Sequence, residues 1–246
     1  MTFKVLGSGS SGNGYLLTSS EGETLVIEAG VRLSEVLKEV PYRNIIGLIV
    51  SHTHGDHAGF LADYLNRRIE TRIHDESLKE WKGRTSDFLP LFFEEECMFS
   101  LGKFDIIPFR LKHDTPCFGF LIRHPDMLGN FLFCTDTAEI PYTFQDVQTL
   151  AIEADYDYNM LLENVRSGKL IVKLARRICS SHFSIDQAIE FCKNRDMKKL
   201  RNIILLHLSR NNSSSEAFKG KMIKATGKPT YIASKGLEVE VGNTPF

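Results

Sequence analysis

Residues 51–60, SHTHGDHAGF, hold three of the chain's eight histidines within six positions, together with an aspartate. The apolar run NIIGLIV precedes them and predicts a buried strand, which would hold these side chains at the end of a rigid element. His52 and His54 lie two apart and can converge on one metal ion, whereas Asp56 and His57 can reach a second. Two metal ions that close together need a shared anionic bridge and further ligands from distant parts of the chain.

Three more candidate ligands each end a β-like run. His113 follows IIPFRLK, Asp136 ends FLFCTD, and His207 ends NIILLH. Neutral imidazole suits Zn²⁺, Mn²⁺ or Fe²⁺, and the carboxylates make Mn²⁺ plausible. The competing interpretations are an exposed histidine at 113, a turn-forming aspartate at 136 and a core histidine at 207. The recurrence of such residues at strand ends favours a site for two divalent metal ions.

Length and composition limit the class of protein. The chain has 246 residues, 42% of them hydrophobic, which suits a single domain spanning residues 1–246. Its formal net charge is −1, although residues 1–150 carry net −7 and residues 151–246 net +6. Five cysteines without a CxxC pair, no apolar leader and no long apolar run predict a cytoplasmic protein without a membrane span.

Strand and helix patterns alternate along the chain. The runs FDIIPFRLKHD, FGFLIRH, NFLFCTD and RNIILLHLS are typical of strands, and residues 33–40, 59–68 and 186–195 have helical spacing. The C-terminal stretch KPTYIASKGLEVEV predicts a final strand or hairpin. We therefore expect an α/β fold in which two packed sheets are covered by helices, a four-layer αββα sandwich.

The motif HxHxDH at 52–57, followed in order by His113, Asp136 and His207, resembles the metallo-β-lactamase fold superfamily. Five further stretches are similar to its YycJ (WalJ)-type nuclease branch: GSGSSGN (7–13), HDTPCFGF (113–120), TDTAEI (135–140), SHFSIDQA (181–188) and HLSRNN (207–212). The resemblance covers most of the chain. It implies the metallo-β-lactamase sandwich and two bound divalent metal ions.

The resemblance also implies roles for individual residues. One metal ion would be bound by His52, His54 and His113, the other by Asp56, His57 and His207, and Asp136 would bridge them. His182 resembles the phosphate-contacting histidine of RNase J-like relatives, and a helix-terminal position is its competing interpretation. Catalysis would depend on Asp56, Asp136 and His182. Candidate substrate contacts are Asn13, His182, Ser209 and Arg210.

Two departures from the family pattern affect these expectations. Only 70 residues separate Asp136 from His207, too few for the large domain inserted in β-CASP nucleases, so we expect a more open cleft. The stretch EADYD at 153–157 differs from the pattern expected in the branch, and the sequence assigns it no role. Basic runs at 165–177 and 193–201 are typical of solvated faces or, alternatively, of surfaces that track a nucleic-acid backbone.

The function predicted most strongly is a two-metal phosphodiester hydrolase that attacks phosphorus with a metal-bridging hydroxide. The resemblance implies a DNA exonuclease with 5′→3′ direction. The main alternative is a phosphodiesterase for a small, cyclic nucleotide, which the near-neutral charge favours slightly. A metal-stabilised binding protein without catalysis is the weaker alternative. Expected partners are nucleic acid, most simply DNA, or a small nucleotide, and a dimer would be one way to complete an open cleft.

Overall fold

The structure, a computed structural model, describes residues 1–83, 86–195 and 198–242. Within these residues, fourteen strands form two sheets of seven. The first sheet has the order β14-β1-β2-β3-β4-β5-β6. Its strands are β1 (Thr2–Gly7), β2 (Gly14–Thr18), β3 (Thr24–Ile27), β4 (Ile45–Ile49), β5 (Thr71–Ile73), β6 (Leu91–Phe92) and β14 (Glu238–Glu240).

The second sheet has the order β13-β12-β11-β10-β9-β8-β7. Its strands are β7 (Phe99–Leu101), β8 (Phe104–Leu111), β9 (Cys117–Arg123), β10 (Asn130–Cys134), β11 (Val147–Glu153), β12 (Asn202–Leu206) and β13 (Thr230–Ile232). Strands β10 to β13 run parallel and are mostly buried on both faces, which explains their nearly continuous apolar sequences.

Eight α-helices lie among the described residues. They are α1 (Leu33–Glu39), α2 (Gly55–Ala58), α3 (Leu61–Asn66), α4 (Asp75–Lys79), α5 (Tyr158–Arg166), α6 (Val172–Ser181), α7 (Ile185–Lys193) and α8 (Ser215–Thr226), with a 3-10 turn at Tyr42–Asn44. The helices predicted at 33–40, 59–68 and 186–195 are thus confirmed within a few residues. No helix of the described ranges is long and apolar enough to cross a membrane.

Three apolar layers hold the sandwich together. Between the sheets, rings from both sides meet, as in the pair Phe3 and Phe131, whose centroids lie 5.1 Å apart. The alternate residues of β10 face the other way, so Leu132 packs with Phe191 of α7 in a second cluster. On the outer face of the first sheet, α1 and α3 cover a third cluster that includes Tyr64. This arrangement confirms the predicted four-layer αββα sandwich.

The C-terminal stretch contains the predicted final strand, β14, but not the alternative hairpin. Its two strands enter different sheets, because β13 pairs in parallel with β12 whereas β14 pairs antiparallel with β1. A hairpin would have paired them with each other. Their separation lets the C-terminal segment close an edge of both sheets.

Candidate metal centre

The strand ends that carry the predicted site have left-handed backbone conformations. Glu28, Asp136 and His207 follow β3, β10 and β12, and their φ angles are 68°, 50° and 54°. Such values are uncommon for residues other than glycine and cost free energy, so the surrounding structure must hold them. In the same turns, the chain leaves the sheets and their side chains become available to the site.

The loop after β4 brings the histidine-rich motif to the same edge. His52 and His54 follow the strand, while Asp56 and His57 lie in the short helix α2. The loop is fixed by Gly30, because a Cβ atom there would overlap the carbonyl oxygen of Asp56. Only glycine permits this close approach of two backbone segments.

A first group of ligand atoms comprises His52 Nε2, His54 Nδ1, His113 Nε2 and Asp136 Oδ2. The ring nitrogens of His54 and His113 face each other at 3.3 Å. Oδ2 of Asp136 lies 4.0 Å from His52 Nε2 and 3.9 Å from His113 Nε2. These three histidines are the ones predicted to share a metal ion, and the structure brings them together.

A second group adjoins the first through the other oxygen of the same aspartate. Oδ1 of Asp136 lies 3.3 Å from His57 Nε2 and 3.9 Å from His207 Nε2. Oδ2 of Asp56 lies 3.2 Å from His207 Nε2 and 3.6 Å from His57 Nε2. The two oxygens of Asp136 therefore face the two groups separately, as a bridging carboxylate must.

The donor set of the first group fits a divalent metal ion. His52 Nε2 is buried and finds no hydrogen-bond partner among the described residues, although it points at the first group. Burial lowers the pKa of His52 well below its usual value, and burial likewise lowers the pKa of His113 to about 4. Both rings are therefore neutral near pH 7, which is the form that binds a metal ion.

The rings of His52 and His113 also have a partner on the nitrogen that faces away from the first ligand group. Nδ1 of His113 lies 2.7 Å from the carbonyl oxygen of Ser181, and Nδ1 of His52 lies 2.9 Å from Oγ of Ser51. Such contacts fix the orientation of a metal-binding ring and the position of its proton. A donor Nδ1–H at His113 leaves its Nε2 lone pair directed at the first group.

Carboxylates lie beside the outward nitrogens of the rings in the second group. Oε2 of Glu28 lies 3.5 Å from Nδ1 of His57, and Oδ1 of Asp155 lies 3.5 Å from Nδ1 of His207. Glu28 is fully buried and its two oxygens also lie near the backbone N–H of Ser51, at 3.3 and 3.4 Å. Neither carboxylate was predicted from the sequence as part of the site. Both lie one or two residues after a strand, and this position could have indicated that they belong to it.

His54 is oriented in the opposite sense, with Nδ1 inward. Its Nε2 lies 3.3 Å from Oδ1 of Asp114, and the guanidinium of Arg177 binds Asp114 through Nε at 2.9 Å and a terminal nitrogen at 2.8 Å. Arg177 belongs to α6, so this helix reaches the first ligand group through one intervening carboxylate.

The stretch at 153–157 acquires a role in the structure. Oε1 of Glu153 lies 2.6 Å from Nδ1 of His182, while its Oε2 accepts hydrogen bonds from the backbone N–H of Thr137 and Phe183. Burial opposes protonation of His182, but the carboxylates of Glu153, Asp136 and Asp155 together outweigh it and raise the pKa of the ring to about 9. Nδ1 of His182 is also 3.9 Å from Oδ2 of Asp136. Glu153 therefore positions a histidine beside the bridging carboxylate.

Asn13 is a correction to the predicted substrate contacts. It is fully buried, so a bound substrate cannot reach it as the chain is folded. Its Nδ2 lies 2.9 Å from His57 Nε2 and 3.3 Å from Asp56 Oδ2, and its Oδ1 accepts from the backbone N–H of Gly9 at 2.8 Å. The Gly/Ser-rich loop thus supports the second ligand group.

Ser209 and Arg210 follow His207 at the rim of the site. Ser209 is half-buried and its Oγ accepts a hydrogen bond from Asn212 at 3.3 Å, whereas Arg210 is exposed. Of the two basic runs, 165–177 comprises the last two residues of α5, the connecting loop and the first six residues of α6, which ends at Ser181 beside His182. Residues 196–197 of the other run lie outside the described residues.

Comparisons with known proteins agree with this geometry. A family described as the metallo-beta-lactamase superfamily matches residues 7–123. Exodeoxyribonuclease WalJ of Streptococcus pneumoniae serotype 2 is 26% identical over 87% of this chain and 84% of that protein. Exodeoxyribonuclease YycJ of Bacillus anthracis is 25% identical over the same shares.

Solved structures support the fold over the whole length. The metallo-beta-lactamase fold protein YhfI from Bacillus subtilis has a TM-score of 0.74 at 17% identity and covers 97% of this chain and 99% of its own. PqqB from Methylobacterium extorquens, solved with Zn²⁺ bound, has a TM-score of 0.72 at 11% identity, with shares of 98% and 100%. With a metallo-β-lactamase superfamily domain at residues 7–123 and the corresponding fold along the chain, this protein is a metal-dependent hydrolase.

Proposed function

We propose that this protein is an exonuclease that hydrolyses the phosphodiester bonds of DNA with two divalent metal ions. The observation that carries the proposal is the pair of ligand groups that share Asp136, with the His182–Glu153 pair at 2.6 Å beside them. Two closely spaced metal ions are typical of enzymes that displace an oxygen from phosphorus. The relatives named exodeoxyribonucleases support the same chemistry, and the 5′→3′ direction is carried over from the resemblance.

The first ion would be held by His52, His54 and His113, the second by Asp56, His57 and His207, and Asp136 would hold both. Zn²⁺ and Mn²⁺ suit these nitrogen and oxygen donors, and Fe²⁺ is the further candidate. When bound, such ions supply Lewis acidity that polarises a phosphoryl oxygen and activates water.

We assign the remaining roles, orientation and proton transfer, to side chains of the protein. Asp56 belongs to the second group and would orient the second metal ion and its bound water. Nδ2 of Asn13 lies 3.3 Å from Oδ2 of Asp56 and supports the carboxylate. His182 has its Nδ1 engaged by Glu153, so its Nε2 is the nitrogen left to meet the substrate. We assign His182 the proton that the leaving oxygen takes up, which it would release from Nε2 as the P–O bond breaks.

Helix α6 supports a polyanionic substrate. Lys173, Arg176 and Arg177 are exposed whereas Ala175 is buried, and Arg177 already reaches the site through Asp114. Among the described residues, Lys173 and Arg176 have no acidic partner. Lys173 and Arg177 are four residues apart, and two like charges at this spacing weaken a helix by about 0.2–0.5 kcal/mol. Their spacing therefore does not serve the stability of the helix. A row of cations leading to the site would track phosphates.

The proposal extends to the organisation of the chain. Between Asp136 and His207 the described residues form β11, three helices and β12, which are parts of the sandwich. We infer one domain without a β-CASP insertion, located in the cytoplasm, with a cleft open to a strand end. A second copy of the chain that covers the cleft would be visible as a dimer in solution.

The decisive experiment is a gel assay with Mn²⁺ on linear DNA labelled at the 5′ or the 3′ end. A closed circular DNA serves as substrate control and Asp136→Ala as the inactive protein. We expect mononucleotides or a ladder from linear DNA alone, with the label pattern giving the direction. Cleavage of the closed circle would replace the exonuclease with an endonuclease, and full activity of Asp136→Ala would refute the two-metal site.

The net charge of −1 is compatible with one alternative substrate, a small cyclic nucleotide. The salt dependence of binding distinguishes DNA from this nucleotide, because affinity for a polynucleotide falls steeply with salt whereas affinity for a mononucleotide falls little. Hydrolysis of bis-p-nitrophenyl phosphate without cleavage of any polymer would favour the cyclic nucleotide. Bound metal without turnover of any phosphodiester would leave a non-catalytic binding protein.

A further inference from the structure

A cavity of about 530 Å³ opens directly beside the first ligand group. His54 and Thr115 line one side of it, and Trp81, Lys82 and Gly83 line the other. A volume of this size lies within the range of small-molecule sites in proteins. The cavity is distinct from the ligand groups, since His54 is the only predicted ligand among its lining residues.

Trp81 is the single tryptophan of the chain, and it stands just after α4. Its backbone N–H donates to the carbonyl oxygen of Leu78 at 3.0 Å, and its ring packs at the margin of the cluster beneath α3. The side chain is nevertheless only half-buried. Among the described residues, no acceptor binds the indole N–H. An aromatic ring of this kind, partly exposed in a cavity, is a surface on which a flat ligand can stack.

The cavity is lined by two lysines, Lys79 and Lys82, and by one glutamate, Glu80. Lys79 is held by Asp75 at 2.7 Å and is therefore compensated. Lys82 is exposed and has no acidic partner within the part of the chain that the structure describes. The cavity thus combines an aromatic face, a lysine without an ion-pair partner among the described residues, and a predicted metal ligand, His54.

We propose that this cavity binds the nucleotide next to the scissile phosphodiester, with its base stacked on Trp81 and its outer phosphate near Lys82. The inference rests on the proposed function, because it assigns the ring to a nucleobase rather than to another flat group. Stacking on an aromatic side chain accepts every base, since every base has a π-face. A single stacking site would therefore let the enzyme shorten DNA of any sequence.

Gly83 offers a second way to perturb the cavity. A Cβ atom at this position would overlap the indole ring of Trp81 near Nε1. Gly83→Ala would thus displace the ring while leaving every predicted metal ligand untouched. It complements Trp81→Ala, which removes the ring but also some packing against the helices.

The first test uses the fluorescence of Trp81 in the full chain loaded with Zn²⁺. Because no other tryptophan is present, the signal reports this site alone. Titration with deoxythymidine monophosphate should quench it saturably, and titration with deoxyribose 5-phosphate, which lacks the base, should not. Gly83→Ala should weaken the quenching at least severalfold. Equal quenching by both ligands, or none at concentrations of the nucleotide that inhibit cleavage of DNA, would overturn the proposal.

The second test is kinetic. Trp81→Ala should raise KM for linear DNA about tenfold or more, the range expected for losing one stacked base, with zinc content unchanged. Trp81→Phe should recover much of the loss, and Lys82→Ala should weaken binding more than Lys79→Ala. Wild-type cleavage of DNA with unaltered KM in Trp81→Ala would refute the base site and leave the proposed function intact. Base-dependent quenching in a protein that cleaves no phosphodiester would instead refute the proposed function and leave the base site in place.

Discussion

Replacing Glu153 by glutamine changes the proton on His182 without changing the size of the side chain. In the protein, Oε1 of Glu153 lies 2.6 Å from Nδ1 of His182 and its Oε2 accepts two backbone N–H groups. A glutamine would keep its one oxygen on the backbone donors and turn its NH₂ group toward Nδ1. Two donors cannot face each other, so Nδ1 would have to accept a hydrogen bond, and the neutral ring would be favoured.

The size of the effect follows from the pKa of His182. Burial lowers that pKa, but the carboxylates of Glu153, which contributes most, Asp136 and Asp155 together outweigh burial and raise the pKa from 6.5 to about 9. If the protonated ring is the active form, activity should hold below about pH 9 and fall as the pH rises through it. Without the carboxylate, burial acts with less opposition and the pKa should fall to about 6.5 or lower. At about pH 8 the protonated fraction would then drop from ~0.9 to ~0.03, roughly a 30-fold loss of rate.

The assay is the pH–rate profile of phosphodiester cleavage at saturating Mn²⁺ for the wild type and Glu153→Gln. The basic limb should move to lower pH by about two units or more, with metal content unchanged. Asp155→Asn is the matched comparison, because Asp155 lies 3.5 Å from Nδ1 of His207 and contributes less than Glu153 to the pKa of His182, so it should shift the basic limb less. A profile of Glu153→Gln that keeps its basic limb, with activity lowered equally at all pH values, would refute the assignment of the proton to His182.

Three further outcomes follow from the same geometry. Asp136→Ala should lose both metal ions and reduce activity to background, which metal analysis by mass spectrometry of the native protein would record; retention of two ions would contradict the bridge. Gly30→Ala should disturb the second ligand group selectively, lowering zinc from two ions to one and stability by about 1–3 kcal/mol in urea unfolding; an unaltered protein would show that the loop can yield. Lys173→Ala with Arg176→Ala should reduce the salt dependence of DNA affinity by a slope of about 2, with no effect on bis-p-nitrophenyl phosphate. Lys224→Ala on α8 is the control for that pair, and an equal change there would remove any special role of α6.

The convergence of the seven candidate ligands could be predicted because histidine and aspartate at the end of an apolar run are unusual. Asp136 and His207 each follow a strand that its apolar sequence makes easy to recognise. Once the fold was predicted, their proximity at one sheet edge followed from it. Their role as ligands stays a prediction. The layered architecture followed in the same way from alternating strand and helix patterns.

The side chains behind the ligands could not be predicted, because their roles depend on contacts between distant segments. Glu153 lies 29 residues from His182, and nothing in its local sequence distinguishes a positioning carboxylate from a solvated one. Asn13 shows the opposite failure. Its loop was correctly associated with the site, but burial against His57 turns an expected substrate contact into a support. Burial of a polar residue is a property of the packed chain and not of its own segment.

The pairing of β14 with β1 sets the order in which a growing chain could become active. Thr2 is paired with Glu240, so β1 leaves the ribosome long before its edge partner exists. Contacts this distant in sequence form late, because closing the intervening loop costs entropy first. His207 likewise emerges 150 residues after His57, with which its ring is stacked. A nascent chain would therefore hold every residue of the first ligand group well before the second, which His207 completes only late in synthesis.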